Sequence, residues 1–180
     1  VTAKKCKFCQ VSFMPMRSLQ QVCSPSCGIA LAQLKQSKKV KKECTAIIKE
    51  RKERLKTHKD YMKELQPIFN KYIRLRDRNE PCICCGAIGD YKWDAGHYLS
   101  RGSHPWLAVN EDNVHKQRAR PCNSDKSGNQ AEYRIRLIEK IGLARVEALE
   151  NCHDREKLSI EKIKELTKHY KLKVKEMKNA

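Results

Sequence analysis

The sequence predicts a mostly helical α+β fold. Three observations predict it: apolar residues at helical spacing in long charged stretches, ten cysteines that fall largely into short-spaced pairs, and one central block rich in Cys, His, Asn, Gly and aromatics with strand-like flanks. The 180 residues leave room for one or two small domains. With three Phe, two Trp and 33% charged residues, the hydrophobic core is small, and metal is expected to help close it.

Composition then narrows the partners. Lys and Arg number 39 against 21 Asp and Glu, a formal charge of +18. That excess speaks about partners rather than fold, and nucleic acid is the first polyanion to consider. An anionic membrane surface is the weaker rival, because the chain has no long apolar run and no visible export signal. The first residue is Val1, which points to a trimmed start. Cysteines in short-spaced pairs without an export signal read as zinc ligands in a reducing cytoplasm rather than as disulfides.

Four segments follow in order: a zinc finger over residues 1–30, a basic helical arm over 31–80, a site-bearing core over 81–130 and C-terminal helices over 131–180. In the first, Cys6-x-x-Cys9 is followed by Cys23-x-x-x-Cys27, with Ser24-Pro25 marking a turn. Four thiolates close a tetrahedral Zn²⁺ with no open position, which makes this a structural site.

The arm reads as helix to about Asp60, with Leu34, Ile48, Leu55 and Met62 on one seven-residue register that Lys41 interrupts. The stripe is too narrow for a coiled coil. Lys38, Lys39, Lys41 and Lys42 are instead candidate DNA contacts, beside the plainer reading of a solvated helix face. Pro67 is expected to break the pattern, and a second helix to run from Ile68 to about Arg78. Beyond the core, Tyr133 to Ile141 reads as helix stopped by Gly142. Val146 and Leu149 suggest a short helix, and Ser159 caps a last one carrying Ile163, Leu166 and Tyr170.

The core carries the chemistry. Cys82-Ile83-Cys84-Cys85-Gly86 forms a second zinc-knuckle-like turn. Residues 91–98 read as a strand, 112–117 as its antiparallel partner, and Cys122 onward as a helix start or irregular turn. A two-stranded ribbon is marginal alone, so a zinc joining the knuckle to Cys122 is expected to fix it. The ribbon would then bring Asp94, His97, Asn113 and Asn123 within reach of one another. Those residue types suit phosphodiester hydrolysis. Neutral His accepts a proton from attacking water near pH 7, and a carboxylate with an amide oxygen suits Mg²⁺ or Mn²⁺. Arg101 and Lys116 are candidate DNA contacts nearby. Trp93 and Trp106 read as core aromatics.

Asp-Ala-Gly-His-Tyr at 94–98, Asn-x-His-Lys-Gln at 113–117 and Cys-Asn-x-x-Lys-Ser-Gly-Asn at 122–129, after Cys-x-x-Cys-Gly at 82–86, closely resemble the lambdoid phage NinG (Rap) recombination endonuclease family. The likeness covers nearly the whole chain, and it extends to the HNH and His-Me finger nucleases. It implies a ββα-metal (HNH) core and cleavage of branched DNA such as D-loops and Holliday junctions, in the cytoplasm of a bacterial host. It also implies roles: His97 as general base, Asp94 as metal ligand although Gly96 holds the place just before the His, Asn113 as the middle Asn that braces a loop, Asn123 as the final ligand, and Lys126 as a phosphate contact. The family pattern has a cysteine where this chain has Arg118. Cys82, Cys85 and Cys122 therefore lack an evident fourth zinc ligand, with His115 a substitute and Cys84 judged too close in the knuckle. A non-catalytic zinc-finger DNA-binding accessory protein is the alternative function. A homodimer is a candidate assembly, since symmetric cuts need two sites.

Overall fold

The computed structural model describes residues 2–153 and 156–179. The chain divides into two compact units, 1–56 and 57–180. The division falls between Lys56 and Thr57 rather than at residue 80, so the second half of the expected basic arm belongs with the core.

In the first unit, β1 (Lys4–Lys5) pairs antiparallel with β2 (Ser12–Phe13). The long helix α1 (Pro25–Arg54) follows. Ser24 caps it by accepting a hydrogen bond from the Cys27 amide, and Pro25 opens the first turn, where a missing N–H costs nothing. No residue of α1 is buried, and Lys38, Lys39, Lys41 and Lys42 are all exposed.

The second unit begins with α2 (His58–Arg76). Thr57 and Asp60 form a reciprocal capping box. That box, rather than Pro67, sets the boundary between the helices. Pro67 lies inside α2 on its exposed face, where water can serve the carbonyl left without a donor. The ribbon follows as β3 (Trp93–His97) and β4 (Val114–Arg118), antiparallel, with Asp94 opposite Gln117 and His97 opposite Val114. Then come α3 (Gln130–Ile141), α4 (Leu143–Glu150) and α5 (Ile160–Asn179). Gly142 separates α3 from α4 at φ +86°, a conformation that suits glycine. Ser159 accepts from the Lys162 amide at the start of α5.

The ribbon survives because both faces are covered. Ala95 and Val114 pack on Leu65, Phe69 and Ile73 of α2 and on Ile163 and Tyr170 of α5. A second core gathers the Cys82–Cys84 knuckle, Tyr98, Leu99, Tyr133, Leu137, Val146 and Leu149. Tyr133, fully buried, donates its hydroxyl to the Gly96 carbonyl at 3.0 Å. At the end of α2, Arg76 forks onto Asp77 and donates to the Val114 carbonyl. Asp77 accepts the Lys116 amide. Burial works against the Asp77 carboxylate, but the Arg76 guanidinium holds its pKa below the ordinary range, so the pair locks α2 to β4.

Candidate functional site

Two cysteine quartets stand out. The sulfurs of Cys6, Cys9, Cys23 and Cys27 lie within 4.8 Å of one another, and so do those of Cys82, Cys84, Cys85 and Cys122. Thiolates about 2.3 Å from a tetrahedral zinc sit roughly 3.8 Å apart. The separations of 3.5 Å for Cys9–Cys23, 3.6 Å for Cys23–Cys27 and 3.6 Å for Cys82–Cys84 are close to that spacing. Both quartets could hold zinc.

In each quartet the surroundings favour one sulfur as thiolate. Burial opposes ionisation of Cys6, yet the backbone amides of Cys9, Cys23 and Phe8 bring its pKa down to about 6. The Cys84 thiol, with the Arg118, Cys85 and Cys84 amides, brings Cys82 down to about 4 against burial. Within each quartet a neighbour is pushed up, Cys23 to about 12 by its hydrogen bonds to Cys9 and Cys27, and Cys84 by Cys82. Four crowded sulfurs resist full deprotonation until a divalent cation neutralises them.

The second quartet corrects the expected ligand set. Its fourth sulfur is that of Cys84, which the turn brings beside Cys82 rather than holding it away. His115 is not part of the cluster. It is buried, packs edge-on to Tyr133, and has its pKa pushed down to about 3 by burial, so it is a neutral core residue. Arg118 brings its backbone but not its side chain to the cluster. Its amide donates to Cys82 Sγ at 3.2 Å, while its guanidinium stacks on Tyr91. The segment Ala119–Asn123 closes a wide turn, the Ser124 amide donating to the Ala119 carbonyl five residues back. Cys122 thereby still reaches the knuckle.

Beside the ribbon lies an open cavity of 440 Å³ lined by Asp94 and His97 of β3, Arg101, Asn123, and Asn70 and Arg74 of α2. Asp94 and His97 alternate to opposite faces of the strand, yet both reach this cavity. Asn123 Nδ2 donates to Asp94 Oδ2 at 2.8 Å. His97 Nε2 lies 3.0 Å from the Ala108 carbonyl. A carbonyl only accepts, so Nε2 carries the proton and Nδ1 keeps the lone pair. Burial, only partly offset by the carbonyls of Ala108 and Ala95 and aided by the charge of Arg101, lowers the His97 pKa and keeps the ring neutral.

Two of the expected site residues stand elsewhere. Asn113 is fully buried and away from the cavity. Its Oδ1 accepts the Leu99 amide, and its Nδ2 donates to the carbonyls of Leu99 and Leu107. It therefore ties down the 99–107 loop, the bracing role that the resemblance implied, and does not join Asp94 and Asn123. Lys116 is not a surface contact. It is buried, its Nζ donates to the Arg78 carbonyl, and it lies over the Trp93 ring. Arg101 and Lys126 are exposed, as DNA contacts must be.

The place just before His97 cannot carry a side chain. A Cβ on Gly96 would meet Gln117 Oε1 at 2.0 Å and Gln117 Cβ at 2.7 Å. Gln117 is itself fixed, donating to the Gly128 carbonyl at 2.6 Å and to Cys84 Sγ. The only nearby carboxylate on β3 is thus Asp94. Sequence reasoning missed Asn70 and Arg74, which lie on the helix expected from Ile68 and were given no role there. Their spacing of one helical turn was the available signal.

The family described as "Bacteriophage Lambda NinG protein" matches residues 1–180. Protein ninG of Escherichia phage lambda is 37% identical over 193 residues, covering 98% of this chain and 94% of the relative. Protein ninG of Salmonella phage P22 is 36% identical, covering 98% and 95%. Protein ninG of Enterobacteria phage H19B is 38% identical over 191 residues, covering 98% and 94%. No solved structure matches. No helix among the described residues is long and apolar enough to cross a membrane.

Proposed function

The chain belongs to the NinG family, and from that premise we propose that it is a metal-dependent endonuclease of the HNH (ββα-metal) kind that cuts branched DNA recombination intermediates, such as D-loops and Holliday junctions, in the cytoplasm of the phage's host. The observation that carries this reading is the convergence of Asp94, Asn123 and a neutral His97 on one polar cavity flanked by Arg74 and Arg101.

The donor set fits a hard cation. Beyond their mutual hydrogen bond Asp94 keeps Oδ1 and Asn123 keeps its one side-chain oxygen, Oδ1, and Mg²⁺ or Mn²⁺ accepts few protein oxygens with several waters. Bound there, the cation would stabilise charge building on the phosphate and the leaving oxygen. The protein's own part begins with positioning: Arg74 and Arg101 bind the phosphate diester. His97, held by the Ala108 carbonyl, takes a proton on Nδ1 from a water as that water's oxygen bonds to phosphorus. The phosphorus–oxygen bond to the leaving sugar then breaks. The core zinc would brace the ribbon, while the N-terminal zinc and the lysines of α1 would serve DNA binding. A second copy of the chain would supply the partner site for paired cuts.

The test is incubation with synthetic junctions, D-loops and linear duplex in Mg²⁺ or Mn²⁺, with EDTA as control. Metal-dependent cuts in branched substrates are expected. They should fall about 10²–10⁴-fold in His97→Ala while binding persists. The rate should rise with pH through an inflection below 6.5, because His97 works as the neutral base and its pKa is lowered. Cleavage indifferent to His97→Ala removes that residue from the mechanism. No cleavage of any substrate leaves the accessory DNA-binding reading.

A further inference from the structure

A second cavity, of 680 Å³, adjoins the one that holds His97. Its apolar walls are Met62 of α2, Pro105 and Trp106 of the loop after β3, and Leu158 ahead of α5. His58 secures the far wall, its Nε2 lying 2.8 Å from the Leu158 carbonyl. Three cations, Lys59, Arg101 and Lys157, line it against one carboxylate, Glu156. Trp106 is held in place, packed partly against the second core and met edge-on by the His104 ring at 5.1 Å.

Two links join this cavity to the catalytic one. Arg101 lines both. Ala108 lines the apolar cavity, and its carbonyl is the group that holds His97. The two spaces are therefore neighbours sharing the Arg101 wall, as sites for consecutive nucleotides must be.

An aromatic-walled apolar slot ringed by cations suits a base that has left its stack, with its phosphates alongside. A paired base inside a duplex is stacked on both sides and cannot enter. An apolar side chain of a protein partner would fill the slot but leave the three cations unused. We propose that this cavity takes an unpaired nucleobase of the DNA next to the phosphate held at His97, with Trp106 as its stacking face and Lys59, Arg101 and Lys157 on the flanking phosphates. The proposal rests on the DNA-cutting reading for its neighbouring site and deepens it. Preference for branched DNA would arise because only a branch supplies an unstacked base at that position.

Binding without added Mg²⁺ or Mn²⁺, with the zinc left in place, separates the two ideas. Forked duplexes are prepared in which one nucleotide at a time around the branch is made abasic, and their affinities for the full chain are measured. The wild type is expected to lose about ten-fold in affinity at one position. Trp106→Leu should lose about as much on the intact fork and nothing further at that abasic position. 2-Aminopurine placed there should dim on binding the wild type and not on binding Leu158→Trp, which fills the cavity from its other wall. Unchanged melting temperature and zinc content confirm that each variant is folded. An abasic scan without effect on the wild type overturns the proposal, as does an abasic penalty that persists in full in Trp106→Leu. A chain that binds as expected but never cuts defeats the nuclease reading alone.

Discussion

The two cysteine quartets have the same ligand atoms and nearly the same sulfur spacing, yet they sit in different settings. The N-terminal quartet joins a two-residue ribbon to the first turn of α1, with Cys9 exposed and α1 wholly unburied. The core quartet has three buried sulfurs, and Gln117 and Arg118 of β4 hydrogen-bond to two of them. One quartet anchors an end of the chain. The other is built into the ribbon that carries Asp94 and His97. The lesson is that ligand geometry alone does not say what a metal site supports; the groups bonded to the sulfurs do.

The sharpest way to break this contrast is a matched pair of substitutions. Cys84→Ser and Cys9→Ser should each remove one of two zinc equivalents by metal analysis. Cys84→Ser should also lower the melting temperature of the 57–180 unit and reduce cleavage by roughly 10–100-fold. Cys9→Ser should leave cleavage per bound substrate nearly unchanged. Retention of both zincs in Cys84→Ser would return the fourth ligand to question.

A smaller effect isolates the loop from the metal. Asn113→Ala strips partners from one buried amide and two carbonyls, and should cost about 2–4 kcal/mol in urea unfolding with zinc content intact. The smallest effect concerns His115. Its folded pKa of about 3 lies below the unfolded value. The unfolded chain therefore binds the extra proton first, and the stability contributed by the neutral ring is present above about pH 6.5 and lost as pH falls toward 3. At pH 5 the loss is about 2 kcal/mol. His115→Phe, which keeps the buried ring without its charge, should be less sensitive to acid by that amount in melting curves, a difference that subtracts the acid release of zinc common to both proteins.

Much of this was legible in the sequence, and the failures share a cause. The ribbon, the first quartet, the Gly142 stop and the Ser159 cap follow from local spacing. The boundary at Thr57 was also local, since Thr57 and Asp60 spell a capping box, but Pro67 was given more weight than an exposed helical proline warrants. Cys84, Lys116, Asn113 and Arg74 were different. Their roles depend on which way a side chain turns once distant elements close around it. A knuckle cysteine can face in or out, and a lysine on a ribbon faces solvent only if no helix end waits there with a carbonyl. For Cys84, the missing family cysteine at Arg118 was the one available hint that another sulfur must enter.

The wedge of Gln117 against Gly96 has an evolutionary consequence. The two positions form a locked pair across the strands. Even an alanine at 96 requires a shorter residue at 117, and shortening 117 frees the Gly128 carbonyl and unseats a donor to Cys84. Neither position can drift alone without disturbing both the metal brace and the turn that presents Asn123. Lineages with a side chain at 96 should therefore carry a shorter residue at 117 and a different donor to the Gly128 carbonyl.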